Sequence, residues 1–155
     1  MLTSTSFQDT PGKHHDDLHL TGYDIDLLRG PLKEKELIDI IGNYNGVICG
    51  DDHFTKNVIK SGSRGNLKVI SKYGVGLDKI DLDTAKRFNI IVTNCKGANH
   101  HAVAEHVFAL ILSFYKNIIL EINHTNNGKW ERLIGNEIHG KKIGIAGLGR
   151  IGKEV

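Results

Sequence analysis

Three glycines near the end of the sequence have a spacing that can bind phosphate groups. Gly147, Gly149 and Gly152 form a G-x-G-x-x-G pattern directly after the apolar run Ile143–Ala146. At such a strand-to-helix turn, the first glycine permits the tight turn, the second lets a pyrophosphate approach the backbone, and the third lets helix and strand pack closely. The pattern therefore predicts a dinucleotide-binding loop, and the alternative is a glycine-rich packing turn.

A second stretch with chemical potential is "SKYGVGLDKID", which runs from Ser71 to Asp81. It follows an apolar strand, and ligands of open α/β sheets bind at the carboxyl ends of the strands. Gly74 and Gly76 allow the backbone around Val75 to form a concave set of amide groups that suits a carboxylate. The alternative is a plain connection between strand and helix, in which Asp81 caps the next helix.

Histidine and acidic side chains are weaker candidates for chemistry. His101 and Glu105 are one helical turn apart and could share a metal ion, but the pair does not match H-E-x-x-H and no third ligand is evident. The histidines and aspartates at His14–Asp17 are more simply part of a solvated loop. We therefore predict no metal site. Asp51 and Asp52 raise the alternative of a phosphoacceptor domain, but no acidic pair follows the first expected strand.

Composition excludes several classes of function. The formal net charge is +2, with 20 Lys and Arg residues against 18 Asp and Glu residues and no basic block, so nucleic-acid binding is not expected. The longest apolar run, Val107–Leu112, is far shorter than the ~20 residues that span a bilayer, so no membrane segment is expected. Cys49 and Cys95 do not form a disulfide framework and are expected to be small buried residues. With no signal-peptide pattern at the start, these features predict a cytoplasmic protein.

Apolar runs alternate with helical patterns over residues 1–97. Strands are expected at Leu2–Phe7 and Tyr23–Leu28, and at the runs "GVICG", "LKVIS" and "IIVTN". Helices are expected at "KEKELIDIIGNY", at "FTKNVIKSG" and at "DLDTAKRFN", where Asp81 is the expected cap. The alternation predicts an α/β fold, in which four or five parallel strands form a flavodoxin-like domain over residues 1–97.

Residues 98–155 follow a different pattern. One long helix with a broad buried face is expected over His101–Leu120, because apolar residues recur three, four and seven positions apart. These residues are Val103, Val107, Leu110, Ile111, Phe114, Ile118 and Ile119. The polar stretch "NHTNNGK" should end this helix. The stretch "KKIGIAGLGRIG" then predicts the first strand and turn of a Rossmann nucleotide-binding domain.

Two long segments resemble a known enzyme family. The segments "VISKYGVGLDKIDLDTAKRFNIIVTNCKGANHHAVAEHVFALILSFYKNI" and "NGKWERLIGNEIHGKKIGIAGLGRIGKEV" are similar to the D-isomer-specific 2-hydroxyacid dehydrogenases, especially to their D-3-phosphoglycerate dehydrogenase branch. The resemblance is strong over about residues 66–155, and the chain corresponds to the front half of the family's enzyme. It implies a flavodoxin-like substrate domain, a long crossover helix and the start of an NAD-binding Rossmann domain.

The resemblance also implies roles for individual residues. The backbone at Val75 and Gly76 would hold the carboxylate of a small 2-hydroxy or 2-keto acid, and Val75 would also contact the nicotinamide of NAD. The long helix His101–Leu120 would supply much of a homodimer interface. The backbone of the pyrophosphate loop would be formed by Gly147, Gly149, Arg150, Ile151 and Gly152.

The catalytic residues of the family match no position of this sequence. Its arginine, its glutamate and its general acid/base histidine belong to a later part of the nucleotide domain and are expected beyond Val155, as is the acidic residue that separates NAD from NADP. We therefore expect an NAD-dependent oxidoreductase of CH–OH groups whose residues 1–155 are inactive alone and bind NAD weakly or not at all. The alternative is a non-enzymatic module that binds a small carboxylate or a partner protein.

Overall fold

The computed structural model describes all 155 residues, which form two compact units, Met1–Lys96 and Gly97–Val155. The helices of the first unit are α1 (Thr5–Asp9), α2 (Lys13–His19), α3 (Glu34–Ile40), α4 (Lys56–Arg64) and α5 (Leu82–Arg87). Its strands are β1 (Gly46–Cys49), β2 (Val69–Lys72) and β3 (Ile91–Asn94). A short 3₁₀ helix, Ile41–Asn43, follows α3. The predicted α/β class is therefore confirmed, and α3, α4 and α5 form within the segments expected to be helical.

The three strands form one parallel sheet in the order β1-β2-β3. In the register of this sheet, Val69 of β2 pairs with Gly46 of β1 on one side and with Ile91 of β3 on the other. Because all three strands run in the same direction, their carboxyl ends lie at one edge of the sheet. That edge carries the loop "SKYGVGLDKID" predicted to bind a ligand.

The prediction of four or five strands is wrong, and the first error falls at Leu2–Phe7. Only Leu2 makes isolated β-bridges there, because α1 begins at Thr5. The hydroxyl of Ser4 accepts a hydrogen bond from the N–H of Phe7 at 3.3 Å and caps this helix. An N-cap of this kind satisfies a backbone donor that a strand would have paired with a neighbour.

The second error falls at Tyr23–Leu28, which is not a strand. Only Leu27 makes a β-bridge, to Leu2, and both Tyr23 and Leu27 are exposed. An alternating pattern selects a strand only when one of its two faces is buried. No residue of this segment is fully buried, and only Leu28 packs against the core, so the alternation does not produce a strand here.

The hydrophobic core of the first unit is built from residues of β1, β2, α3, α4 and α5 and the loops between them. Its buried members are Met1, Leu37, Ile41, Val47, Cys49, Phe54, Val58, Ile59, Leu67, Ile70, Ile80, Ala85 and Ile90. The prediction that Cys49 is buried is confirmed, whereas the same prediction for Cys95 is wrong. Cys95 follows β3, whose side chains alternate between exposed and half-buried, so this end of the sheet is uncovered.

Side-chain caps define where two of these helices begin. The hydroxyl of Thr55 accepts a hydrogen bond from the N–H of Val58 at 3.4 Å and starts α4. The carboxylate of Asp81 accepts from the N–H of Thr84 at 2.8 Å and starts α5, as predicted. Backbone and side-chain hydrogen bonds with Thr84 hold the pKa of Asp81 below its usual value, which matches a capping carboxylate.

The second unit contains α6 (His100–Tyr115), α7 (Ile118–Asn126) and α8 (Arg150–Glu154). The single helix expected over His101–Leu120 is therefore wrong, because α6 and α7 are separate helices bent by 64°. The break falls at Asn117, whose φ of 54° lies in the left-handed region that asparagine tolerates better than most residues. The side-chain amide of Asn117 donates to the carbonyl of Ile134 at 3.0 Å and holds this break.

The broad buried face predicted for the long helix is also wrong. Ala104 is the one buried residue of α6, and α7 has none. Phe114 is 79% exposed, so the apolar stripe has no covering surface within this unit. The stretch "NHTNNGK" ends the helix later than expected, since α7 continues to Asn126. No single helix is long and apolar enough to cross a membrane, and α6 and α7 meet that length and composition only when combined across their bend.

The strand expected before the glycine pattern does not form. The run Ile143–Ala146 is irregular, and Ile143 and Ile145 are 57% and 46% exposed. A strand requires a neighbouring strand to accept and donate its backbone hydrogen bonds, and the second unit contains no other strand. The helix expected after the glycines does form, as α8.

Candidate functional site

A cavity of about 270 Å³ lies at the carboxyl ends of β1 and β2 in the first unit. It is lined by Asp51, Lys72, Tyr73, Gly74, Val75, Gly76, Asp78 and Lys79. This is the edge of the sheet at which open α/β folds bind ligands. Both residues of the predicted carboxylate site, Val75 and Gly76, therefore face one concave space.

The loop after β2 is held through its carbonyl groups, which leaves two of its amide groups free. The carbonyl oxygen of Gly74 accepts a hydrogen bond from the N–H of Cys95 at 2.8 Å, and that of Val75 accepts from the side-chain amide of Asn94 at 2.6 Å. The N–H groups of Val75 and Gly76 donate to no acceptor within the chain. Two adjacent unused donors beside a cavity are the arrangement that binds the oxygens of an anion.

Glycine is required in this loop at one position more than at the other. Gly74 has a φ of 153°, where an added β-carbon is strained and would lie 3.0 Å from Cε of Lys72. At Gly76 an added β-carbon would meet only the flexible carboxylate of Asp78, at 2.8 Å. The conformational reason for a glycine therefore holds at Gly74, whereas at Gly76 a side chain is opposed only by a carboxylate that can move.

Lys72 is the last residue of β2, and its side chain is only 11% exposed. Its Nζ contacts the carbonyl oxygen of Gly50 and lies 3.0 Å from Oδ1 of Asp51, while Nζ of Lys79 lies 3.8 Å from the same oxygen. The hydrogen bond from Lys72 and the charges of both lysines hold the pKa of Asp51 below its usual value. With Asp78 included, two lysines face two carboxylates, so these four side chains carry no formal net charge, and any preference for an anion would come from the free amides.

Sequence reasoning did not identify Lys72 and Lys79 as cavity residues, and it considered Asp51 only as a phosphoacceptor. A signal was available at Lys72, because a lysine that ends an apolar strand must be paired or remain solvated. The partner could not be predicted, since the contact with Asp51 depends on β1 and β2 being neighbours in the sheet.

The neighbouring carboxylate, Asp52, has a structural role. It is buried and accepts hydrogen bonds from the hydroxyl of Thr3 at 2.6 Å, the N–H of Leu32 at 2.8 Å and the N–H of Gly50 at 3.3 Å. These three donors occupy the carboxylate, which thereby joins the N-terminal segment to the loop after β1. The geometry gives no support to the phosphoacceptor alternative.

A second cavity, of about 230 Å³, borders the first. The two share Asp51, Lys72, Tyr73 and Lys79, and the second extends to a run of hydroxyl side chains over residues 3–6. The polar space beside the Val75–Gly76 amides therefore continues into the second cavity.

The predicted pyrophosphate loop lies in the second unit and is exposed. Gly147 has a φ of 110°, which the tight turn requires, and Gly149 precedes the first residue of α8, Arg150. An added β-carbon at Gly152 would lie 2.1 Å from the carbonyl oxygen of Gly147, so the third glycine permits close packing. The first N–H groups of a helix, here those of Arg150 and Ile151, have no partner within the helix. These features fit a pyrophosphate, and cofactor binding at this loop stays a prediction.

The first unit thus has the architecture of α/β proteins that bind small ligands at the carboxyl edge of a parallel sheet. Residues 5–138 match the family described as D-isomer specific 2-hydroxyacid dehydrogenase, catalytic domain. Because this match covers most of the chain, the chain belongs to that family. The family indicated by the sequence motifs is therefore confirmed.

Individual relatives agree with this assignment. The D-3-phosphoglycerate dehydrogenase of Bacillus subtilis is 40% identical over 139 residues, which are 81% of this chain and 26% of the relative. Among solved structures, the TT0316 protein of Thermus thermophilus aligns with a TM-score of 0.85 at 29% identity, over 99% of this chain and 50% of that one. The NAD⁺-bound 3-phosphoglycerate dehydrogenase of Entamoeba histolytica aligns with a TM-score of 0.70 at 26% identity, over 90% and 42%. The chain spans about a quarter of the length of the D-3-phosphoglycerate dehydrogenases that it matches.

Proposed function

We propose that this chain forms the substrate-binding part of an NAD-dependent oxidoreductase that acts on the CH–OH group of a 2-hydroxy acid, as D-3-phosphoglycerate dehydrogenase does. The observation that carries the proposal is the pair of unused N–H groups at Val75 and Gly76 beside the cavity. Membership of the family and its D-3-phosphoglycerate dehydrogenase relatives support the reaction class.

In this proposal the two amides hold the substrate by its carboxylate. Each carboxylate oxygen accepts one hydrogen bond, and bonds to an ionised acceptor are about twice as strong as neutral ones. The carbonyl oxygens of Gly74 and Val75 accept hydrogen bonds from Cys95 and Asn94. They are therefore not left unpaired beside the anion, where they would repel it. The rest of the substrate extends toward the shared wall of the two cavities, where Lys72 and Lys79 lie.

When bound, NAD supplies the acceptor of the hydride that leaves the substrate carbon. In the proposal, Val75 contacts its nicotinamide, and the amides of Arg150 and Ile151 hold its pyrophosphate with Gly147, Gly149 and Gly152. The NAD⁺ bound to the Entamoeba histolytica relative supports this choice of cofactor.

We expect residues 1–155 alone to bind substrate but not to turn it over. Proton exchange with the hydroxyl oxygen needs a general acid/base with a pKa near neutrality, and no histidine lines the cavity. Asp51 is a weak base, because Lys72 and Lys79 lower its pKa. Residues 1–155 are also expected to bind NADH weakly or not at all, since the glycine pattern accounts only for contacts to the pyrophosphate of the cofactor.

The proposal extends to assembly and location. We expect a homodimer through α6 and α7, because these helices expose apolar side chains that a second copy would cover. These side chains include Phe108, Leu110, Leu112, Phe114, Ile118, Ile119, Leu120 and Ile122. A cytoplasmic location is supported by the two cysteines, which are both free.

Substitution of Val75 tests the carboxylate site directly. Val75→Pro removes one of the two N–H donors, and Val75→Ala removes most of the side chain but keeps the donor. We expect NMR or calorimetric titration with D-glycerate and 3-phospho-D-glycerate to show at least about tenfold weaker binding for the proline variant, and little change for the alanine variant. Circular dichroism confirms that each variant is folded. Equal binding by both variants would contradict the proposal, as would the absence of any carboxylate binding by the unchanged chain.

A further inference from the structure

Three donor groups converge in the second unit, where α6 begins and α8 ends. Nδ1 of His101 lies 3.1 Å from Oε2 of Glu154, and Nε2 of His100 lies 3.9 Å from Oε1 of the same carboxylate. One ligand atom from each of the three residues lies within 4.8 Å of the other two. Glu105, the partner considered for His101 from the sequence, does not belong to this cluster.

A contact outside the cluster orients one of these donors. Nδ1 of His100 lies 2.7 Å from the carbonyl oxygen of Gly97. A carbonyl oxygen only accepts, so Nδ1 carries the hydrogen, and in the neutral ring Nε2 keeps a free lone pair. Metal-binding histidines almost always donate their other ring N–H to a carbonyl, a carboxylate or water in this way. Nε2 of His100 is the atom that faces Glu154.

The separations of the donors match those around a four-coordinate ion. Bonds of about 2.0–2.2 Å from a tetrahedral ion to nitrogen and oxygen place neighbouring donors about 3.3–3.5 Å apart. The separations of 3.1 and 3.9 Å, which run to the two oxygens of the Glu154 carboxylate, lie on either side of this value, and the ligand atoms of the three residues all lie within 4.8 Å of one another. Two imidazoles and one carboxylate form a donor set that suits Zn²⁺ and related transition metals, whereas Ca²⁺ and Mg²⁺ take oxygen ligands.

We propose that His100, His101 and Glu154 bind one divalent transition-metal ion of the Zn²⁺ class, with water in the fourth position. The ion joins the start of α6 to the end of α8 and so restrains the helix that follows the glycine loop. Glu154 neutralises half of the ion's charge. The guanidinium group of Arg150 lies against Gly97 and adds a positive charge to this region, so we expect binding in the micromolar range rather than tighter.

The test is a titration of the tag-free 155-residue chain with ZnCl₂ near neutral pH, followed by calorimetry and by thermal unfolding. We expect one saturable site and a higher unfolding temperature when zinc is present. His101→Ala and Glu154→Gln each remove a ligand and are expected to weaken binding at least about tenfold. His106→Ala is the matched control, because His106 is an exposed histidine on the same helix, and it should bind zinc like the unchanged chain.

One further measurement separates this site from its alternatives. A double variant, His14→Ala with His15→Ala, removes the other adjacent histidine pair and should leave binding unchanged. No saturable binding, binding that survives both ligand variants, or binding lost in the His14/His15 variant would each overturn the proposal.

Discussion

The two units of this chain differ in how much of their apolar surface is buried. The first unit, Met1–Lys96, places 13 residues in one core beneath a three-stranded sheet. The second unit, Gly97–Val155, buries only Ala104 among its apolar residues. Since folding stability comes mainly from apolar burial, the first unit has the means to fold by itself, and the second exposes surface that suits a partner.

Similar sequence patterns form different structures in the two units, because their surroundings differ. The apolar run "GVICG" becomes a buried strand because β2 pairs with it, whereas Ile143–Ala146 stays irregular because no strand lies beside it. The periodic helix α3 packs Leu37 into the core, whereas the more apolar α6 leaves Phe114 exposed. The apolar pattern of a segment indicates which face it can bury, but that face is buried only where a neighbouring surface covers it.

Phenylalanine truncation in each unit should give the largest contrast. Phe54 is fully buried in the first unit, and Phe54→Ala should lower the free energy of unfolding by about 3–5 kcal/mol. Phe114 is 79% exposed in the second unit, and Phe114→Ala should change the free energy of unfolding by less than about 0.5 kcal/mol. Urea denaturation followed by circular dichroism measures both. Equal effects would remove the contrast, and an effect of Phe114→Ala that grows with protein concentration would place Phe114 in an interface.

Two adjacent aspartates offer a contrast within the first unit. Asp52→Asn replaces the carboxylate that accepts hydrogen bonds from Thr3, Leu32 and Gly50 with a neutral amide. It should cost about 1–3 kcal/mol of stability, because these buried donors lose their charged acceptor. Asp51→Asn should cost less than about 1 kcal/mol, because the carboxylate of Asp51 is 70% exposed. Thermal unfolding of both variants at one pH makes the comparison. A larger effect at Asp51 would show that Asp52 does not fasten the N-terminal segment.

Removal of a helix-cap side chain should affect the free energy of unfolding differently in the two units, but by a smaller amount than the substitutions above. Thr55→Ala removes the hydroxyl that caps α4 and should cost about 1 kcal/mol. Asn99→Ala at the start of α6 should cost only a few tenths of a kcal/mol, because the Asn99 side chain makes no capping hydrogen bond. Chemical denaturation with both variants measured in parallel gives the result. The contrast is lost if Asn99→Ala is as costly as Thr55→Ala.

The reactivity of the two thiols tests whether the core of the first unit stays closed. Titration of these thiols should change stability little near neutral pH. Burial raises the pKa of Cys49 to about 12, so a thiol reagent should modify exposed Cys95 in the native chain and both cysteines after denaturation. The contribution of the Cys49 thiol to stability is fully present below its unfolded pKa and is lost as the pH rises toward about 12. Two rapidly reacting thiols in the native chain would show that the core opens.

Much of the first unit follows from local pattern. Helices α3, α4 and α5 and strands β1, β2 and β3 form where periodicity and apolar runs place them, and Asp81 caps α5 as predicted. Two of the errors fall where a single side chain overrides the pattern. Ser4 caps α1 in place of a strand, and Asn117 takes a left-handed conformation that divides the long helix. Serine and asparagine occur in many other structural contexts, so neither Ser4 nor Asn117 predicts these effects from the sequence.

The α/β class, the family resemblance and the positions of the glycine loops can all be predicted from residue order, because they depend on spacings of a few residues. Only the tertiary structure brought Lys72 to Asp51 and His101 to Glu154, 53 positions away. Local spacing controls which backbone angles are allowed, and so it identifies loops such as Gly74–Gly76. Contacts between distant side chains depend on which strands are neighbours and on how the helices pack, and spacing along the chain specifies neither.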